Sequence, residues 1–213
     1  MSQERVSCPH RALRTASLNR VSRIIAGRAR GHTLSTPRHN RTRPTTDRVR
    51  ESAFGLIADW AGTAGESGDQ MLERFSFLDL YSGSGAVALE AASRGAAPVV
   101  AVEKDRSTAA LIRANAEATH LTIQVQAASV ETYLEGTASP FDIVWLDPPY
   151  DVPGPTVAHV VATVTERWLA EDGLIIVERS ARDGSFDWPE TFVEPRERRY
   201  GETTLHLASR ETP

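Results

Sequence analysis

The chain has 213 residues, of which 40% are hydrophobic and 7% aromatic, as expected for a globular protein long enough for one full α/β domain and a small appendage. No apolar run approaches the ~18 residues of a membrane-spanning helix, and the arginine-containing N-terminus lacks the apolar stretch of a secretory signal. The single cysteine, Cys8, excludes an internal disulfide and offers no metal cluster. We therefore expect a cytoplasmic protein.

The formal net charge of −4 hides a strong asymmetry along the chain. Residues 1–60 contain twelve arginines against four acidic residues, a net charge of +8, whereas the remaining residues carry a net charge of −12. A basic patch of this kind indicates a polyanionic partner such as nucleic acid, although an arginine-rich tail that only meets solvent would have the same composition. We expect a disordered extension at 1–20 and an ordered appendage at 21–61 that binds nucleic acid.

The N-terminal segment predicts a small basic hairpin followed by a helix. Residues 21–26 and 32–35 are typical of two short strands around a glycine-containing turn. Thr45 or Thr46 can cap a helix that runs to about Ala61, because apolar residues recur there at helical spacing. Residues 61–69 are rich in small and polar residues and are predicted to be a linker.

Strands and helices alternate in the rest of the chain, so residues 70–213 are predicted to form the catalytic domain. Strands are expected at 75–81, 99–103, 123–127, 141–146 and 173–178, with helices beginning at 86, 105, 130 and 156. This alternation indicates a mainly parallel sheet covered on both faces. Two further segments, 191–196 and 203–207, are expected to form a terminal hairpin that supplies one antiparallel strand.

Asp147-Pro148-Pro149-Tyr150 follows a predicted buried strand and has the groups needed to methylate an exocyclic amine on a flat heterocycle. The lone pair of such an amine is delocalised into the ring, so a site must draw it out. The Asp147 carboxylate and the Pro148 carbonyl can each accept one N–H, and the prolines stiffen the loop that holds them. Tyr150 offers a face on which the base can stack. A rigid strand exit with an exposed tyrosine is the plainer alternative.

A glycine turn at the exit of the first predicted strand indicates a nucleoside-binding crevice. Gly83 and Gly85 allow a ligand to approach the backbone, and Glu103 ends the next strand, where an acid can bind ribose hydroxyls. Asp79 precedes the turn and can bind the ammonium group of S-adenosylmethionine, which NAD lacks. Asp79 could instead bind only backbone amides, and Glu103 could only cap the following helix.

Four stretches of the chain carry a family resemblance. They are Arg23-Ile-Ile-Ala-Gly27, Thr42-Arg-Pro-Thr-Thr-Asp-Arg-Val-Arg-Glu51, Asp79-Leu-Tyr-Ser-Gly-Ser-Gly85 and Asp147-Pro-Pro-Tyr150. Together with Tyr200-Gly-Glu-Thr203, they make residues 21–208 similar to the ribosomal RNA small-subunit methyltransferase D family. That family methylates the N2 amino group of one guanine in bacterial 16S ribosomal RNA with S-adenosylmethionine. The resemblance therefore implies 16S ribosomal RNA as partner, within the assembled or assembling small subunit.

The fold that this resemblance implies is the Rossmann-like class I S-adenosylmethionine-dependent methyltransferase fold. It consists of a mostly parallel seven-stranded sheet with one antiparallel strand, here with the small N-terminal basic β-hairpin added. The implied mechanism is direct transfer of the methyl group, without a metal.

The resemblance also assigns residues to the site. Asp147, Pro148 and Tyr150 are implied to be catalytic, with Pro149 beside the substrate. The implied cofactor-binding residues are Asp79, Ser82, Gly83, Gly85, Glu103 and Ser129, the last at a position where relatives commonly have Asp or Asn. Arg43, Arg48 and Arg50 are expected to bind the substrate, although they could close over the cofactor's carboxylate or, for Arg48, pair with an acid.

Three other functions remain open on the sequence alone. The pattern Gly83-x-Gly85-x-x-Ala88 also fits an NAD-dependent oxidoreductase, but that function leaves the Asp-Pro-Pro-Tyr stretch and the basic N-terminus unexplained. A DNA adenine-N6 methyltransferase could use the same tetrapeptide. A noncatalytic ribosome-assembly factor would bind small subunits without transferring a methyl group.

Overall fold

The computed structural model of the protein describes residues 22–37 and 46–210. The strands are β1 (Ser22–Arg23), β2 (Thr33–Leu34), β3 (Phe77–Leu80), β4 (Val99–Val102), β5 (Gln124–Gln126), β6 (Phe141–Leu146), β7 (Leu169–Ser180), β8 (Phe192–Tyr200) and β9 (Thr203–Arg210). The helices are α1 (Asp47–Ala61), α2 (Ala86–Ser93), α3 (Arg106–Ala118), α4 (Val130–Leu134) and α5 (Gly154–Arg167). No helix in this part of the chain is long and apolar enough to cross a membrane. The predicted extension at 1–20 lies outside the described residues.

Seven strands form one sheet in the order β5-β4-β3-β6-β7-β9-β8. The strands from β3 to β7 run parallel, and β9 is antiparallel to both of its neighbours. The predicted mostly parallel sheet with one antiparallel strand is confirmed. Because the chain leaves β3 toward β4 and later returns to β6 on its other side, a crevice is expected between β3 and β6 at their carboxyl ends.

The two faces of the sheet bury separate apolar clusters because side chains alternate along each strand. On one face, Phe77 and Ile143 pack with α1, α2 and the N-terminal segment. On the other, Leu78 and Val144 pack with α4 and α5. Asp79 belongs by this alternation to the first face, where it is a buried carboxylate at the end of an otherwise apolar strand.

The predicted N-terminal hairpin is present, and it packs on α2. The backbone N–H groups of Ile25 and Ala26 donate to the buried carboxylate of Glu90, at 2.7 and 3.0 Å. Gly27 has a φ of +82°, and a Cβ there would lie 1.9 Å from the carbonyl oxygen of Ser93. Only glycine fits this contact. The hairpin and α1 therefore share an apolar cluster with α2 and the sheet.

Helix α1 begins after Thr46, whose hydroxyl accepts the N–H of Val49 at 3.3 Å. Of the two threonines predicted to cap this helix, Thr46 is the N-cap, and Thr45 lies outside the described residues. The helix ends at Gly62, which has a φ of +69° and donates its N–H to carbonyls of the last turn. A glycine in the left-handed region is a common way to end a helix.

The last three strands are longer than the sequence predicts. Strand β7 begins at Leu169 instead of residue 173, since Leu169 already pairs with Phe141 before the register shifts. Strand β8 continues to Tyr200 instead of residue 196, although it contains Pro195 and several charged residues. It lies at the edge of the sheet, where proline and charges are tolerated because one side of the strand has no partner in the sheet.

Candidate active site

The carboxyl ends of the parallel strands bring the two predicted halves of the site together. Asp147 is the first residue after β6, and its N–H donates to the carbonyl of Leu80 in β3 at 3.3 Å. Asp79 lies one residue before Leu80 in the same strand. The glycine turn that follows β3 and the Asp-Pro-Pro-Tyr stretch that follows β6 are therefore neighbours at one edge of the sheet.

The turn after β3 is formed by residues in the left-handed region. Tyr81, Gly83 and Gly85 have φ values of 64°, 52° and 76°. The hydroxyl of Ser82 donates to the carbonyl of Asp79 at 2.7 Å, which closes the turn on the strand. A Cβ at Gly85 would lie 2.7 Å from a side-chain atom of Ile112, whereas a Cβ at Gly83 would meet no atom within 4 Å. Gly85 is needed for packing against α3, and Gly83 leaves an open backbone for a ligand.

Asp79 is 1% exposed and accepts the N–H of Ala88 at 3.1 Å. Burial raises the pKa of its carboxyl to about 8, although the hydrogen bond from Ala88 opposes the shift. Asp79 thus does bind one backbone amide, as the plainer alternative expected. That one hydrogen bond stabilises the ionised carboxylate less than burial destabilises it, so the pKa stays raised. A cation bound beside Asp79 would stabilise its ionised form.

Glu103 follows β4 and joins the turn to the next helix. Its two carboxylate oxygens accept the N–H of Gly83 at 3.0 Å and the N–H of Asp105 at 2.8 Å. Asp105, and not Glu103, is the N-cap of α3. Each oxygen of a carboxylate has a second lone pair, so Glu103 can still accept a hydroxyl proton.

Ser129 is the N-cap of α4, and its hydroxyl accepts the N–H of Thr132 at 3.2 Å. It also donates to the hydroxyl of Thr132 at 3.1 Å. The side chain that was predicted to bind the cofactor therefore has a structural function in this helix.

The Asp147–Tyr150 loop presents an acid and an aromatic ring. Asp147 is partly exposed and Pro148 is buried, whereas Tyr150 is 52% exposed and is the one exposed large hydrophobic side chain in residues 22–37 and 46–210. Although the residue as a whole is partly exposed, loss of water around its carboxyl group raises the pKa of Asp147 well above its ordinary value, and the charges of Glu178 and Asp79 raise it further. The carboxyl group that follows β6 is therefore electrostatically coupled to the carboxyl group of Asp79 in β3.

Arg179 fastens this loop to the end of β7. Its guanidinium forms an ion pair with Asp183 at 2.7 Å and donates to the carbonyl of Val152 at 3.4 Å. The N–H of Val152 in turn donates to the carbonyl of Pro149 at 2.9 Å. The same guanidinium opposes the rise in the pKa of Asp147. Arg179 was not among the residues predicted from sequence.

A cavity of about 450 Å³ opens at Glu178, the residue that follows Val177 in β7 as Asp147 follows Leu146 in β6. Its lining comes from the start of α1, the end of β7 and the β8–β9 hairpin: Thr46, Arg48, Val49, Glu178, Arg199, Tyr200, Gly201, Glu202 and Thr203. Glu178 has a 4% exposed side chain and was also missed by the sequence reasoning. Alternation along β7 could have found it, because Glu178 follows the buried Val177 as Asp147 follows the buried Leu146, and these two apolar residues pair in register.

The three arginines that were predicted to bind the substrate differ in position. Arg48 is exposed and lines the cavity. Arg43 lies outside the described residues.

The prediction for Arg50 is not supported, because its side chain is fully buried. Its guanidinium donates to the carbonyl of Arg23, pairs with Asp47 at 3.1 Å and lies 3.8 Å from Glu90. Arg50 therefore connects the hairpin and α1 to α2 and does not face a ligand.

The chain is similar to known proteins over most of its length. The family described as conserved hypothetical protein 95 matches residues 22–209. Ribosomal RNA small subunit methyltransferase D from Escherichia coli is 33% identical over 190 residues, which are 89% of this chain and 90% of that protein. The solved structure of Escherichia coli yhhF matches with a TM-score of 0.76 and 29% identity, over 91% of this chain and 99% of that one.

A more distant structure shares the fold. It is the Thermus thermophilus 16S rRNA N2 methyltransferase in complex with AdoMet and guanosine, with a TM-score of 0.66 and 21% identity over 90% of this chain and 50% of that one. The family assignment rests on the matches to methyltransferase D and to yhhF, both from Escherichia coli, because each match covers most of both chains. This chain belongs to the ribosomal RNA small subunit methyltransferase D family.

Proposed function

We propose that this protein transfers a methyl group from S-adenosylmethionine to the N2 amino group of a guanine in 16S ribosomal RNA. The observation that carries the proposal is the hydrogen bond from the Asp147 N–H to the Leu80 carbonyl, at 3.3 Å. It joins the exit of β6 to β3, so a base bound at Asp147 is beside a nucleoside bound at the glycine turn. The relatives named as small-subunit rRNA methyltransferases support the choice of reaction and RNA.

The residues of the turn fit S-adenosylmethionine. The Asp79 carboxyl has a pKa of about 8 through burial, so the ammonium of the methionine part would supply the positive charge that this site lacks. Gly83 leaves room at the backbone, and Glu103 keeps lone pairs for ribose hydroxyls. The dinucleotide NAD has no ammonium for Asp79. When bound, the cofactor supplies an electrophilic methyl group on a sulfonium.

Asp147 and Pro148 would act on the guanine amine. The Asp147 carboxylate and the Pro148 carbonyl can each accept one N–H, which favours a pyramidal nitrogen whose lone pair points out of the ring plane. Tyr150 offers its exposed ring for stacking of the base. These contacts align the nitrogen with the methyl group, and alignment is the main contribution that a protein can make to a transfer of this kind.

Asp147 can also hold the proton that the amine loses. Its raised pKa means that the carboxylate binds a proton more firmly than an exposed aspartate does, and a general base works best when its pKa is near the working pH. Ionisation of Asp147 is then required before transfer, and the proton leaves with solvent afterwards.

Exposed arginines around the cavity fit an RNA partner. Arg48 and Arg199 line it, and Arg196 and Arg198 are further exposed arginines of β8. Arginine guanidinium groups bind phosphates in a sequence-independent way, so this surface would position the RNA while the cavity selects the base. In this proposal, residues 21–61 and β8 grip an assembled or assembling small subunit, which implies a cytoplasmic location.

Methyl transfer from labelled S-adenosylmethionine tests the proposal. The acceptors are small subunits and free 16S RNA that lack the modification, and the product is digested to nucleosides. We expect N2-methylguanosine at one position. Recovery of N6-methyladenosine would favour the adenine-N6 reaction, and binding to subunits without transfer would favour a noncatalytic factor.

A further inference from the structure

We infer that Glu178 selects guanine by accepting the proton on N1 of the target base, next to the amine held by Asp147. The inference rests on the proposed function and adds the residue that gives it base specificity. Glu178 becomes a substrate-contacting residue that neither the family resemblance nor the named relatives assign.

The strand register puts Glu178 beside Asp147. Leu146 of β6 pairs with Val177 of β7, so Asp147 and Glu178 are the next residues on two adjacent parallel strands. Ile176 belongs to the same apolar cluster as Trp145, and alternation then places both acids on that face of the sheet. Their side chains therefore leave the sheet in the same direction.

Glu178 also faces the cavity. Its side chain is 4% exposed and lines the 450 Å³ space, together with Tyr200, Gly201 and Thr203 of the β8–β9 connection. The other acidic residue in that lining, Glu202, is exposed to solvent. Asp147 is not among the residues that line the cavity, but Glu178 borders the cavity and is the strand neighbour of Asp147. A flat base that places its amine at Asp147 would therefore direct the ring atom next to the amine carbon at Glu178.

The chemistry of the base edges makes this arrangement selective. On the Watson–Crick edge of guanine the N2 amine is next to N1–H, and both are hydrogen-bond donors. On that edge of adenine the N6 amine is next to N1, which carries a lone pair. Two adjacent acceptors, Asp147 and Glu178, complement the first pattern, whereas the lone pair of adenine N1 would repel a facing carboxylate and give it no hydrogen bond. A pocket with a hydrogen-bond acceptor at this position discriminates against bases that have no N–H group there.

A metal ion is not favoured as the reason for these acids. No group of three His, Cys, Asp or Glu side chains within residues 22–37 and 46–210 is arranged to hold a metal ion. A base edge with two hydrogen-bond donors needs only two acceptors, and Asp147 and Glu178 supply them from neighbouring strands.

The base 2-aminopurine separates the two contacts. It keeps the exocyclic N2 amine that Asp147 would bind, but its N1 carries no proton. The methylated guanine is first located by mass spectrometry of ribonuclease fragments of the RNA. Small subunits are then reconstituted with 16S RNA in which this guanine is replaced by 2-aminopurine. We expect the natural protein to methylate guanine at least about tenfold faster, in kcat/KM, than 2-aminopurine.

Glu178→Gln should narrow this ratio to about twofold, because the glutamine amide can donate to the bare N1 of 2-aminopurine as well as accept from guanine. Affinity for S-adenosylhomocysteine should stay within about twofold of the natural value, which also shows that the variant folds. Glu197→Gln is the matched control: Glu197 is an exposed glutamate of β8 outside the cavity lining, and its substitution should leave the ratio unchanged.

The outcomes separate the inference from the function on which it rests. No transfer to guanine by the natural protein would overturn both. Transfer at equal rates to guanine and 2-aminopurine, which needs no variant, would overturn the role of Glu178 alone. A preference that survives in Glu178→Gln would do the same and would leave the methyltransferase assignment intact.

Discussion

The proposed cofactor half of the site and the proposed base half come from different parts of the chain. The cofactor half consists of residues 79–85 and Glu103, and it is held by short-range contacts such as the bond from Gly83 to Glu103. The base half consists of residues 147–150, Glu178 and the cavity, whose lining extends from Thr46 to Thr203. The first half can form when two adjacent strands pair, whereas the second requires the complete sheet and the N-terminal segment.

This difference suggests how the two halves can be changed. Substitutions in the cofactor half should alter cofactor affinity, while those in the base half should alter turnover or base choice. Asp147 is the point where the halves meet, since the charges of both Glu178 and Asp79 raise the pKa of its carboxyl. Variants that affect one half and spare the other would confirm the division.

Substitution of Asp147 should have the largest effect. In Asp147→Ala the amine loses its carboxylate acceptor, and we expect kcat to fall by about 100-fold or more. The dissociation constant for S-adenosylhomocysteine should change by no more than about twofold. Single-turnover transfer and calorimetric titration measure the two quantities. Unchanged turnover would contradict the assignment of the catalytic residue.

Asp79→Asn, by contrast with Asp147→Ala, should change the affinity for the cofactor. It removes the negative charge for the cofactor ammonium, so the dissociation constant for S-adenosylmethionine should rise by roughly 10- to 100-fold, as expected for the loss of a charge-assisted hydrogen bond. Stability of the ligand-free protein should not fall, because a buried carboxyl without a cation is replaced by a neutral amide of the same shape. A loss of stability with unchanged cofactor affinity would show that Asp79 is only structural.

The two glycines of the turn offer a matched pair. Both have positive φ, so alanine strains the backbone at either position, but only at Gly85 would its Cβ meet the Ile112 side chain, at 2.7 Å. Gly85→Ala should therefore lower the free energy of unfolding by about 1–3 kcal/mol more than Gly83→Ala does. Denaturant unfolding measures this difference. Equal losses would mean that the helix packing at Gly85 is adjustable.

The pH dependence of stability should have a definite sign. Between the ordinary pKa of aspartate, 3.8, and the pKa of about 8 in the folded protein, Asp79 binds a proton that the unfolded chain does not bind. Stability of the ligand-free protein should then fall as pH rises through this window, by at most about 1.4 kcal/mol per pH unit for this group. Asp79→Asn should flatten the decline, which denaturant unfolding at several pH values would detect.

Much of the cofactor half could be predicted from sequence because its signals are contiguous. The turn after β3, with Gly83 and Gly85, lies where the predicted strand ends, and Glu103 ends the next predicted strand. The predicted parallel sheet then fixes which ends of the strands meet. The same reasoning applied to Asp147, because it too follows an apolar strand.

The base half could be predicted only in part, because its remaining residues are brought together by the register of distant strands. Glu178 is 31 positions beyond Asp147 along the chain and is adjacent to it only through the β6–β7 pairing. The positions of Arg48 and Arg50 were also difficult to predict from the sequence. Arg48 and Arg50 are two residues apart and so about 200° apart around α1, which directs one to the cavity and the other into the interior.

The most direct test of the two-part site is a crystal structure with S-adenosylhomocysteine and guanosine 5′-monophosphate, at concentrations that saturate binding in titration. We expect the sulfur at the turn after β3 and the guanine N2 within hydrogen-bond distance of Asp147 and the Pro148 carbonyl. N1 should face Glu178 across the cavity. Guanine bound outside this cavity, or with its amine directed away from Asp147, would contradict the account.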